Sequence, residues 1–143
     1  MPALTLAKAK RIISSALKEG RAQEMKPLTV VVLDAGGHVI AAEREDGASN
    51  LRFEIARGKA NGALATGMGS RALMARAESQ AYFVQALNGL AGGSMVPVPG
   101  GVLIRSARGE VLGAVGISGD VSDNDERCAV AGIEAARYAP DPG

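Results

Sequence analysis

The stretch V-P-V-P-G-G-V-L-I-R-S-A-R-G-E-V-L-G-A-V-G-I-S-G, from Val96 to Gly119, decides the fold. Its second half reads as a β-hairpin, with Val102–Arg105 returning as Val111–Ser118 around a turn that ends in Gly109. Pro97, Pro99 and the pair Gly100-Gly101 give the entering strand a rigid approach followed by two residues without side chains. Gly113 and Gly116 on the returning strand weaken it unless something must approach the backbone closely. A packed helix and a ligand both meet that requirement.

Working outward, an earlier segment has the same form. L-D-A-G-G-H-V-I-A-A from Leu33 lies in register with R-S-A-R-G-E-V-L-G-A from Arg105, turn glycine on turn glycine. Leu28–Leu33 is the near-continuous apolar run of a central strand, and Val39–Glu43 returns beside it. The match predicts two hairpins of similar geometry in one sheet. It also places His38, the only histidine, at an exposed position just after a turn.

Helical periodicity fills the remainder. Thr5 is positioned to cap a first helix reaching about Met25, with Leu6, Ala9, Ile13, Ala16 and Leu17 on one stripe. Ser49 would cap a second, from Asn50 to about Thr66, that buries Phe53, Ile55 or Ala56, Ala60 and Leu64; Gly58 and Gly62 flatten one side of it for a close contact. Ser70 would cap a short helix to about Ala77, Glu78–Leu87 continues as another, and Asn88–Gly93 reads as a loop. Ser122 would cap a last helix whose acidic opening suits the positive helix end. The closing Pro-Asp-Pro-Gly reads as a frayed tail. Helix, hairpin, helices, hairpin, helix is the order of an α+β domain with one antiparallel sheet, and residues 1–143 suit a single domain.

Composition narrows the function. Sixteen basic and fifteen acidic residues nearly cancel, so neither nucleic acid nor a membrane surface is an expected partner. The absence of a long apolar run or a signal-peptide pattern predicts a cytoplasmic protein. Cys128 stands alone on an apolar stripe and reads as a small hydrophobe. No metal-binding spacing and no phosphate-binding loop occurs, so no cofactor is read from the residues themselves. Arg44, Arg52, Arg57, Lys59, Arg71 and Arg105 supply cations for a carboxylate-bearing ligand. Met25, Met68, Met74 and Met95 are candidate soft ligands, and His38 a candidate acid, base or iron ligand.

Three blocks together resemble a known family: Val31–Ala48, Ile55–Ala65, and Pro97–Ile104 with Gly109–Gly119, followed by Asp125-Glu126 and Ala131–Ile133. They are similar to the GlcG/HbpS family, the haem-binding or haem-degrading domain that includes the C-terminal domain of PduO-type proteins. The resemblance covers Leu4 to Ala136. It implies a profilin-like fold, an antiparallel sheet of four to five strands with helices on both sides, assembled as a homodimer or higher oligomer. The chain departs from the family's pattern at Gly62, Thr66-Gly67 and Gly69-Ser70, and its first helix lacks a histidine that serves relatives as an axial haem ligand.

Three functional readings follow. The first is a small-molecule-binding accessory protein of a catabolic pathway, with Arg44, Lys59 and Arg105 holding an anionic or aromatic ligand that approaches along Gly100-Gly101. The second is a small cofactor-independent lyase, isomerase or hydrolase using Asp46, Lys59 or Glu126. The third is haem or tetrapyrrole binding or degradation, with His38 or a methionine as ligand. If Lys59 meets an anion, its replacement by Met should weaken binding by about 1.5–3 kcal/mol and leave stability unchanged.

Overall fold

The Thr5 hydroxyl accepts the Lys8 amide at 3.2 Å and starts the first helix, α1, Leu6–Ala22, in the computed structural model, which describes residues 3–143. The chain continues as β1 (Thr29–Asp34), β2 (Val39–Arg44), α2 (Arg52–Thr66), α3 (Ser70–Ser79) and α4 (Ala81–Leu90). It closes with β3 (Gly101–Arg105), β4 (Val111–Ser118), α5 (Ser122–Ala135) and β5 (Ala139–Asp141). The strands form one antiparallel sheet in the order β2-β1-β4-β3-β5. No helix among the described residues is long and apolar enough to cross a membrane.

The two hairpins share their turn chemistry. Asp34 and Ser106 occupy the same place: Asp34 Oδ1 accepts the Gly36 and His38 amides, and Ser106 Oγ accepts those of Arg108 and Glu110. Gly37 and Gly109 supply matching positive φ values of 84° and 86°. Each hairpin also slips register beside its turn, at Val32/Leu33 and at Ile104/Arg105.

Alternation along the strands builds two layers. Val30, Val32, Val102, Ile104, Val115 and Ile117 face α1 and α5, closing an aliphatic core with Ile12, Ile13, Cys128 and Ile133. Val31, Leu33, Leu103 and Ala114 face α2, which answers with Ala56, Ala60 and Ala63. The hairpin glycines make this second contact possible. Gly101 and Gly116 are register partners, and a Cβ on either would overlap an α2 carbonyl, that of Lys59 or of Ala56. The close approach is by a packed helix. Gly58 and Gly62 serve the same layer, against Val96 and against Leu73 with Met95.

Several element ends differ from expectation. Helix α2 starts at Arg52 without a side-chain cap, so Ser49 does not cap it. Ser70 and Ser122 are the first helical residues, behind Gly69 and Val121, and cap neither helix. The Ser70 hydroxyl instead accepts the Gly101 amide at 2.7 Å and donates to the Gly101 carbonyl, joining α3 to the sheet. Helix α4 runs on to Leu90, through half of the expected loop. The closing segment is not a frayed tail. Residues 139–141 pair with β3 as an edge strand, where Pro140 needs no ladder donor, and Arg105 Nε meets Asp141 Oδ2 at 2.9 Å.

Candidate functional site

Helix α2 ends at Gly67, whose left-handed φ of 73° turns the chain into α3 and α4. These two helices pack on each other around a small satellite core of Leu73, Val84 and Met95. Helix α4, A-Y-F-V-Q-A-L-N-G-L, carries no charged residue and buries only Val84 fully, so much of its apolar surface stays open. Between α2, α3 and α4 lies a cleft of about 540 Å³ lined by Met68, Leu73, Phe83, Leu87, Leu90 and Met95. This is the size and the predominantly apolar lining of a small-molecule site.

One cation borders the cleft. The Arg76 guanidinium lies 4.6 Å from the Phe83 ring centroid, and its Nε donates to Gln80 Oε1 at 2.6 Å. Stacking and that bond fix the fork and leave its terminal N–H groups for an anion. Met68 and Met95, both named above as candidate soft ligands, lie in the cleft wall. An apolar body, an anion-binding guanidinium and thioether sulfurs form a donor set that fits a tetrapyrrole with carboxylate arms.

The other predicted residues are not gathered at one place. Lys59 is 2% exposed. Its Nζ donates to Asp125 Oδ2 at 3.0 Å and to the Ile117 carbonyl at 2.9 Å, while the second Asp125 oxygen accepts the Asp120 amide. Burial lowers the Lys59 pKa and raises that of Asp125, each opposed by the partner's charge. Lys59 therefore ties α2 to β4 and α5 from inside, and its ammonium lies against Gly100, whose φ of 121° and missing Cβ give it room. Gly100-Gly101 packs on Lys59 and α2 and opens no path for a ligand along the sheet.

Arg44 and Arg105 stand apart. Arg44 lies on edge strand β2 opposite Thr29, whereas Arg105 lies three strands away on β3, held by Asp141 and the Gly109 carbonyl. Among the candidate acid–base residues, Asp46 is exposed beside Glu43 and Glu45, and Glu126 receives the Arg71 guanidinium at 2.8 Å. With Lys59 buried, these three share no cavity. His38 is on the exposed turn, its Nδ1 3.1 Å from Asp34 Oδ1, outside the cleft. Burial pushes the Cys128 thiol up to about 12, and its sulfur sits 3.4 Å from that of Met25. Sequence reading missed Arg76 and the α4 wall; the signal for them was an uncharged ten-residue run with Tyr82, Phe83 and two leucines.

Comparison with known proteins gives the architecture a context. The model of the haem-degrading HbpS-like family matches residues 4–134. No curated protein matches the chain. Among solved structures, a PduOC–haem complex is 24% identical, covering 96% of this chain and 98% of its own, with a TM-score of 0.86. Klebsiella pneumoniae protein ORFY is 21% identical over 96% and 92%, also at 0.86. A double mutant of Streptomyces reticuli HbpS is 24% identical over 94% and 87%, at 0.78.

Proposed function

The chain belongs to the haem-degrading HbpS-like family, and from that premise we propose that it binds a flat, largely apolar ligand with a carboxylate arm between α2, α3 and α4. The tetrapyrrole class is the reading the cleft supports best. The observation that carries it is the combination of an apolar cleft of about 540 Å³ with a single stacked guanidinium, that of Arg76. Macrocycle burial supplies affinity, and Arg76 orients the carboxylate. In this reading the protein serves a catabolic pathway in the cytoplasm as the holder of its small molecule. The separation of Asp46, Lys59 and Glu126 supports binding over catalysis, and a lone free thiol suits a reducing compartment.

Hemin titration followed by absorption tests the cleft. The wild-type protein should give a saturable, shifted Soret band. Ala65→Trp, which fills the cleft from an exposed position, should abolish it, and Arg76→Gln should weaken binding about tenfold, the loss of a charge-assisted hydrogen bond. A hemin spectrum unchanged by protein, or equal affinity in all three proteins, would overturn the reading.

We assign self-association to the side of α4 that faces away from the cleft, where Tyr82 is 72% exposed. A helix without charges meets its own copy without repulsion, as a two-fold contact requires. The thermal midpoint should rise with protein concentration, and Tyr82→Lys should remove that dependence. A monomer with a concentration-independent midpoint in the wild type would sink this assignment.

A further inference from the structure

The β1 edge of the α2 layer holds a polar atom that the fold leaves unanswered. Thr29 opens β1 on the same face as Val31 and Leu33, and it is 1% exposed. Among the described residues, its Oγ1 is the one buried side-chain oxygen or nitrogen without a hydrogen-bond partner. Buried hydroxyls are nearly always satisfied, so an orphan needs an explanation. Thr29 lines a cavity of about 350 Å³ together with Ala42, Glu43, Arg44, Asn50 and Phe53.

The neighbours of Thr29 have the chemistry of a ligand site. Arg44 is its partner across the β1–β2 ladder. One terminal nitrogen of Arg44 donates to the Ala48 carbonyl at 2.7 Å, which pins the guanidinium; its other nitrogens donate to no group among the described residues. Asn50 adds an amide, and Phe53 gives the cavity an aromatic wall. Glu43 lies opposite Val30 in the ladder, so its carboxylate belongs to the α1 face of the sheet.

We propose that this cavity is a second ligand site, separate from the α2–α3–α4 cleft, and that it takes a small monocarboxylate with a flat apolar body. The free guanidinium N–H groups and the Asn50 amide donate to the carboxylate, and the Thr29 hydroxyl gains its missing acceptor. Phe53 covers the apolar body. The single Arg44 guanidinium answers one negative charge, so a second charge on a dicarboxylate or phosphate is left unpaired. The volume lies at the small end of ligand pockets, suited to a single-ring acid. The inference does not rest on hemin binding and survives its failure.

Benzoate is the probe, titrated into the isotope-labelled full chain and followed by amide shifts. Saturable shifts should centre on Thr29, Arg44, Asn50 and Phe53. Arg44→Gln should weaken binding at least about tenfold and Thr29→Val about fivefold, from the lost charge-assisted and hydroxyl bonds. Succinate and inorganic phosphate should bind more weakly than benzoate. Arg44→Lys, which keeps the charge but not the fork, should also lose affinity and serves if Arg44→Gln fails to fold. Benzoate shifts that do not saturate in the millimolar range, shifts confined to the α2–α3–α4 cleft, or unchanged affinity in the Arg44 and Thr29 variants would each overturn the site.

Discussion

The two faces of the sheet are built by different means. On the α1/α5 face, two helices bring isoleucines, valines and leucines into a closed aliphatic layer. On the other face a single helix, α2, lies on glycine and alanine so closely that its carbonyls nearly touch the sheet. Such close packing leaves little apolar volume, and polar groups do part of the work. Lys59 and Asp125 cross-link the layer from inside, and Ser70 fastens α3 to Gly101. Both proposed ligand sites flank α2, one beside β2 and one beneath α3 and α4. The closed face supplies stability, and the thin face leaves space for recognition.

The largest expected effect breaks the thin face at its cross-link. Lys59→Met leaves the Asp125 carboxylate buried without its partner and should cost about 3–5 kcal/mol in chemical denaturation. This reverses the expectation of unchanged stability drawn for a lysine that meets an anionic ligand. Pairing it with Asp125→Leu should restore most of the loss, since an apolar pair of similar size tolerates the same site. If Lys59→Met were neutral, the polar cross-link would carry no weight and the contrast between faces would fail.

Next in size is a pair of substitutions with opposite signs. Ile13→Ala, on the closed face, removes fully buried atoms and should cost about 2–5 kcal/mol. Thr29→Val, on the thin face, replaces an unpartnered hydroxyl with a methyl group of the same shape and should raise stability by about 1 kcal/mol. A destabilised Thr29→Val protein would mean that the hydroxyl already has a partner.

The smallest effect is a pH dependence at the junction of the faces. Asp120 accepts the Lys26 and Val121 amides and the Asn124 side chain, and these bonds hold its carboxyl below the usual 3.8. A depressed folded pKa means stability that is present above 3.8 and lost as pH falls through the folded value. Asp120→Asn should therefore flatten the acid limb of a stability-versus-pH curve. An acid limb of undiminished slope would remove Asp120 as its source.

Much of the frame was legible because turn chemistry is local, whereas of the four expected caps only Thr5 holds. The Asp34 and Ser106 turns announce themselves within six residues, and the Thr5 cap within four. The polar cross-links were not, because the partners are distant in sequence. Lys59 meets Asp125 from 66 positions away, and nothing beside a lysine at helical spacing marks it as buried. Ser70 looks like a cap until Gly101 arrives from 31 positions on. Strand β5 was hidden by its proline, which rules out a central strand and says nothing against an edge. Thr29 reads as an ordinary β-branched strand residue, and only the assembled cavity shows that its hydroxyl lacks a partner.

If recognition belongs to the α2 face, with the α2–α3–α4 cleft as its main site, a flat iron-bearing ligand must contact that cleft first. Hemin contains paramagnetic iron, which broadens nearby amide resonances, so a substoichiometric titration of the labelled protein maps the contact directly. Amides of residues 65–68, 73–76 and 83–91, with Met95, should broaden first, while those of α1 and α5 keep their widths. Broadening centred on α1 and α5 or on the His38 turn, or none at one equivalent of hemin, would contradict it.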